Sequence, residues 1–137
     1  HTSGSGRPMR TYWDSSALIE SLWEPALQLR LKRERGFTRL HALAEVFSVL
    51  TGNPATRIDA DDALAFLKSL ESKLDFVDLT AAEMLEALKP ARKLGVRGGR
   101  VHDLFHAVAA KKSGAKKILT LDKNNFIGLT EIELEMV

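Results

Sequence analysis

No cysteine occurs anywhere in the 137 residues, and this absence excludes disulfide staples, thiolate zinc sites and thiol redox chemistry together. Long hydrophobic runs are missing too. No apolar stretch approaches the roughly 18 residues that a membrane span requires, and the N-terminal residues lack the charged, apolar and small-residue series of a secretory signal. A soluble, cytoplasmic protein with no membrane association is therefore expected. A chain of this length buries roughly two thirds of the surface its unfolded form exposes, enough for one domain with its own core. The first eight residues, HTSGSGRP, are rich in Gly and Ser and read as the remnant of an expression tag, leaving 9–137 as a single domain.

The formal charge is only +2, yet it is unevenly distributed. From Lys89 to Lys123 there are ten basic residues against two acids, Asp103 and Asp122. Arg30, Lys32, Arg33 and Arg35 form an earlier basic run, and Glu131, Glu133 and Glu135 lie near the end. Such runs ordinarily solvate helix faces, but they also allow one part of the surface to attract a polyanion.

Alternating elements follow from hydrophobic period and stop signals. Arg10 to Trp13 reads as a short strand, Ser15 to about Leu22 as a helix, and Glu24-Pro25 as the start of another helix that runs to a stop at Gly36. Thr38 to Leu50 is expected as a third helix, and Asp59 caps a fourth over Ala60 to Leu74. After the apolar run Phe76, Val77 and Leu79, Thr80-Ala81-Ala82-Glu83 has the pattern of a capping box, with Pro90 breaking or restarting its helix. A helix from about Arg100 to Lys112, stopped by Gly114, leads to a strand over Lys117 to Leu121, and Phe126 to Leu134 supplies a last strand. Strands separated by helices imply an α/β fold, a mostly parallel central sheet covered on both faces.

Ligands of open parallel sheets gather outside the carboxyl ends of the strands, and Asp14 and Asp122 each follow such an end. Either could serve only as a helix cap. Two further acids, Glu45 and Asp103, lie on narrow polar strips of otherwise apolar helices: His41, Glu45 and Ser48 on one, His102, Asp103 and His106 on the other. Both helices are expected to be largely buried. Two carboxylates about 5 Å apart repel by roughly 3 kcal/mol at an effective dielectric of 20. If the four meet, protons or a cation must compensate. Without cysteine the hard oxygen set suits Mg²⁺ or Mn²⁺, cations that commonly act on phosphates.

The segments TYWDSSALIESL, RLHALAEVFSVLTGNPATRI and GGRVHDLFHAVAAKKSGAKKILTLDKNNF, in that order, resemble the PIN-domain family, and within it the VapC type of toxin ribonuclease. The resemblance implies a three-layer α/β/α fold and a metal-dependent endoribonuclease, homodimeric and neutralised by a VapB-like antitoxin. It assigns Asp14, Glu45, Asp103 and Asp122 as catalytic residues and Mg²⁺ or Mn²⁺ ligands, with Ser16 and Thr120 as supporting hydroxyls. Asn124 is close enough to Asp122 in sequence to line the same pocket. His102 and Phe105 stand where the family more often has a tyrosine and an aliphatic residue; neither change removes a ligand. The histidines His41, His102 and His106 are read as structural or supporting groups. Other readings are a housekeeping PIN nuclease in RNA processing, a non-catalytic RNA- or partner-binding module, or a receiver-like signalling domain that gathers acids around Mg²⁺.

Overall fold

A computed structural model describes residues 10–137; the tag reading of residues 1–8 lies outside them. The chain begins with β1 (Thr11–Trp13), whose three side chains are all buried. Strands covered on both faces show this continuous burial instead of alternation. Asp14 ends the strand and starts α1 (Ser15–Glu20), because its carboxylate accepts the free backbone N–H of Ala17. Next come α2 (Pro25–Arg33), opened by Pro25 at its first position, and β2 (Gly36–Arg39). They are followed by α3 (Ala42–Gly52), α4 (Ala60–Glu71) and β3 (Leu74–Val77). The capping box between Thr80 and Glu83 opens α5 (Ala81–Leu88), Pro90 separates it from the short α6 (Ala91–Leu94), and α7 (Arg100–Ser113) ends at Gly114 with φ of 78°. β4 (Lys117–Thr120), a 3-10 turn (Lys123–Phe126) and β5 (Glu133–Met136) complete the chain.

The five strands form one sheet in the order β3-β2-β1-β4-β5, and every pairing is parallel. Alternation along the strands sends Trp13 and Leu119 into one core with Leu18, Leu31, Val46, Leu50 and Leu70. Tyr12 and Ile118 enter the other, with Ala107, Ala110 and Phe126. Helices thus cover both faces, in the α/β/α layering expected. Strand order reverses direction at β1, so the carboxyl ends of β1 and β4 border the crevice where open α/β sheets bind ligands. Among the described residues, no helix is long and apolar enough to cross a membrane.

Several sequence expectations require correction. Thr38 and Arg39 belong to β2, and α3 starts only at Ala42. Gly36 is no helix stop. It is a strand residue over which the Trp13 indole packs so closely that an added Cβ would lie 2.7 Å from Nε1. Only Ala42, Val46 and Leu50 of α3 are buried, whereas Phe47 and Val49 are 37% and 39% exposed, so this helix is not enclosed by the core. The fourth helix stops at Glu71, and Leu74 already begins β3. The last strand is Glu133–Met136, later than its apolar pattern suggested, because Phe126 is drawn into the core from the 3-10 turn.

Candidate active site

Asp14 is 4% exposed at the end of β1 and both its oxygens are engaged. Oδ1 accepts from the Ala17 backbone N–H at 2.9 Å and the Ser16 hydroxyl at 2.7 Å, and Oδ2 accepts from the Thr120 hydroxyl at 2.6 Å. Ser16 in turn accepts the Leu121 backbone N–H at 3.0 Å. Ser16 and Thr120 therefore fasten the carboxylate to the end of β4, and capping is only one of its three bonds.

Glu45, on the first turn of α3, is fixed from two other elements. The Ser15 hydroxyl donates to its Oε1 at 2.9 Å, and His106 Nε2 on α7 lies 3.0 Å from the same oxygen. Burial disfavours the Glu45 carboxylate, but the hydrogen bonds of His106 and the Ser15 hydroxyl outweigh it and hold its pKa below the ordinary value. His102 is 48% exposed, with Nδ1 3.8 Å from Glu45 Oε2. Its ring stacks on His41 with centroids 5.9 Å apart and planes 12° from parallel. His106 is different: it is 3% exposed and belongs to the interior, not to an exposed polar strip.

Asp103 lies one turn before His106 on α7. Burial raises its pKa; His106 and Arg100 oppose that rise, while the charges of Asp14 and Glu45 reinforce it. These three acids thus share one electrostatic neighbourhood, although they come from the end of β1, the start of α3 and the start of α7. Asp122 is placed otherwise. Its side chain is exposed and accepts the backbone N–H of Asn124 at 2.9 Å, so it caps the 3-10 turn while its backbone N–H donates to Thr120 Oγ1 at 3.2 Å. Asn124 is exposed on that turn.

Several basic residues are paired away from these acids. Arg10 and Arg35 pair with Asp75, Arg30 with Glu34 and Glu135, and Lys117 with Glu133 and Glu135, all toward the starts of the strands. Lys112 donates to the Asp78 carbonyl and Glu83. The charge of Arg100 acts on Asp103 while its guanidinium donates to the Ile127 carbonyl at 3.1 Å, and Lys123, next to Asp122 in sequence, is exposed. A groove of about 740 Å³ lined by Leu94, Leu104, Val108, Leu129 and Ile132 lies elsewhere, and none of the four acids lines it.

Sequence reasoning missed two groups here. Tyr12, read only as a β-prone aromatic, bonds His106 Nδ1 through its hydroxyl at 2.7 Å. Arg39, read as part of a helix, is 6% exposed and its guanidinium lies 5.1 Å from the centroid of the Phe105 ring. That contact gives the unusual aromatic after the third acid a use, as the face on which a buried cation rests.

Asp14, Glu45 and Asp103 offer only hard carboxylate oxygens, the donor chemistry of Mg²⁺ or Mn²⁺. Among the described residues, no three acidic, His or Cys side chains are close enough together to hold one ion as they stand. The repulsion felt at Asp103 is what a cation would relieve, so the donor set fits such an ion in charge and chemistry.

A model of the PIN domain matches residues 11–130. The chain belongs to the PIN domain family, and this removes the receiver-like alternative. No curated protein matches it in sequence. Its fold is similar to a chain of the Rickettsia felis VapBC2 complex bound to a DNA fragment from their promoter, with TM-score 0.70, 16% identity and coverage of 94% of this chain and 99% of that one. It is also similar to PAE2754 from Pyrobaculum aerophilum, with TM-score 0.65, 19% identity and coverage of 94% and 90%. A third similar structure is Mycobacterium tuberculosis VapC20, described as a Sarcin-Ricin loop cleaving toxin, with TM-score 0.66, 15% identity and coverage of 86% and 94%.

Proposed function

We propose that this PIN domain is a metal-dependent endoribonuclease and the toxin of a VapBC-type toxin-antitoxin pair. The observation that supports the reading is that Asp14 at the end of β1, Glu45 at the start of α3 and Asp103 one turn before His106 on α7 lie on elements that meet beside the topological switch point, where Ser15 and His106 both bond Glu45. The folds shared with VapBC2 and VapC20 support it.

In this reading Asp14, Glu45, Asp103 and Asp122 would hold Mg²⁺ or Mn²⁺, Asp122 only when released from its bond to the Asn124 N–H. A cation so held supplies positive charge beside the scissile phosphate and lowers the pKa of an attacking water. The protein's own groups do the rest. Ser16 and Thr120 keep the Asp14 carboxylate oriented, Ser15 and His106 keep Glu45 oriented, and Arg100 and Lys123 meet the RNA backbone on either side. Exposed Leu40, Phe47 and Val49, with Trp23, offer apolar surface to a VapB-like antitoxin or a second copy in a homodimer, acting in the cytoplasm.

Induced expression in bacteria tests the toxin role. Growth arrest is expected, relieved by co-expression of the neighbouring upstream reading frame and absent with Asp103→Asn. Harmless accumulation of folded wild-type protein would contradict the toxin role and favour a housekeeping PIN nuclease.

A further inference from the structure

Tyr12 and His106 are two buried polar groups; the proposed reaction gives His106 the orienting of Glu45 and gives Tyr12 no part. Burying them is costly unless their hydrogen bonds are complete, and here they are directional. Ser15 has one hydroxyl proton and gives it to Glu45 Oε1 at 2.9 Å, so its oxygen can only accept from His106 Nε2 at 3.0 Å. Nε2 must therefore carry the hydrogen, which it shares between Ser15 and Glu45 Oε1 at 3.0 Å. In the neutral ring Nδ1 is then an acceptor, and its partner at 2.7 Å is the Tyr12 hydroxyl. A phenol is protonated at neutral pH, so the Tyr12 hydroxyl is the donor of this bond. Donors thus run one way, from the sheet through α7 to the acid on α3. Oε1 of Glu45 receives two of them, whereas among the described residues Oε2 meets only His102 Nδ1, at 3.8 Å, beyond hydrogen-bond reach.

We propose that Tyr12 and His106 are positioning residues: the Tyr12 hydroxyl locks His106 as its Nε2–H tautomer, and that N–H ties down Glu45 Oε1 so that Oε2 is the oxygen presented to a divalent cation. The inference rests on the metal-dependent reading above and adds which oxygen serves and what aims it. Groups that orient a ligand in this way typically change metal affinity about 10- to 100-fold when removed.

Mn²⁺ titration followed by electron paramagnetic resonance, with nitrogen-15 spectra of the His106 ring, tests the proposal without RNA. The wild type is expected to show the Nε2–H tautomer. Tyr12→Phe should lose that single form and bind Mn²⁺ about ten-fold more weakly, and His106→Leu should weaken binding at least as much. His106→Gln, whose amide N–H can reach the Nε2 position, should stay within about threefold of wild type. A wild-type ring in the Nδ1–H form, or equal affinity in all four proteins, overturns the proposal and leaves the cation site standing. A wild type that binds no Mn²⁺ removes the cation reading and this inference with it. If Tyr12→Phe fails to fold, the wild-type spectrum and the two His106 variants decide.

Discussion

The hydroxyl of Thr120 lies 2.6 Å from Oδ2 of Asp14, joining the ends of β4 and β1 across 106 residues of sequence. Both groups are buried, so the bond is shielded from water. Thr120→Val keeps the shape and leaves a buried carboxylate oxygen without its donor, a change expected to cost about 1–3 kcal/mol. Thr120→Ser should recover most of it. Urea denaturation of the three proteins measures the difference.

Asp103 provides a second test, in which stability and activity move in opposite directions. Its folded pKa is raised, so its contribution to stability is present below the unfolded pKa and is lost as pH rises through the folded one. At neutral pH the ionised group destabilises the metal-free protein. Asp103→Asn should raise the melting temperature by about 2 °C at pH 7 without metal, and the gain should vanish at pH 3. Calorimetry with a chelator present checks it.

At the opposite end of the sheet the sign reverses. Hydrogen bonds from Arg30 lower the Glu135 pKa, and those from Arg35 and Arg10 lower that of Asp75. Their stabilisation is present above the unfolded carboxylate pKa values and is lost as pH falls through the folded ones. Arg30→Met should reduce stability at pH 7 by no more than about 1 kcal/mol, since the pair is partly exposed and screened. It should also flatten the loss of stability between neutral and acidic pH, measurable by denaturant titration across that range.

Gly36 tests the packing that carries β2. A methyl group there would lie 2.8 Å from Cδ1 and 2.7 Å from Nε1 of Trp13, a ring with no exposed surface and no room to withdraw. Gly36→Ala is expected to cost about 1–3 kcal/mol and to shift Trp13 fluorescence. Gly52→Ala, with open space around the added carbon, should have neither effect.

The sequence made the layered α/β architecture legible because its punctuation is chemical. Thr80 and Glu83 form their box from side chains three residues apart, and Gly114 ends α7 with a left-handed φ, both local effects. β2 was hidden for the opposite reason. A four-residue strand buried in a parallel sheet has no alternation, and Gly36 signals a helix stop unless the indole 23 residues earlier is known to cover it. The acids divide in the same way. Their positions after strands or on apolar helices could be read from spacing, but the buried state of His106, and its bond to Tyr12 94 residues away, depends on how α7 lies over β1. No local pattern encodes that crossing. Asp122 shows the limit from the other side: the spacing that suggested a ligand also fits the cap it makes with Asn124.

The central claim is that the carboxylates gathered between β1, α3 and α7 cut RNA with the help of a divalent cation. Incubating purified protein with single-stranded RNA, with Mg²⁺ or Mn²⁺ and with a chelator, is the most direct test. The wild type should cleave only when the cation is present, and Asp14→Asn and Asp103→Asn, shown folded by circular dichroism, should not cleave at all. Cleavage that persists in the chelator, or that survives both substitutions, would contradict it.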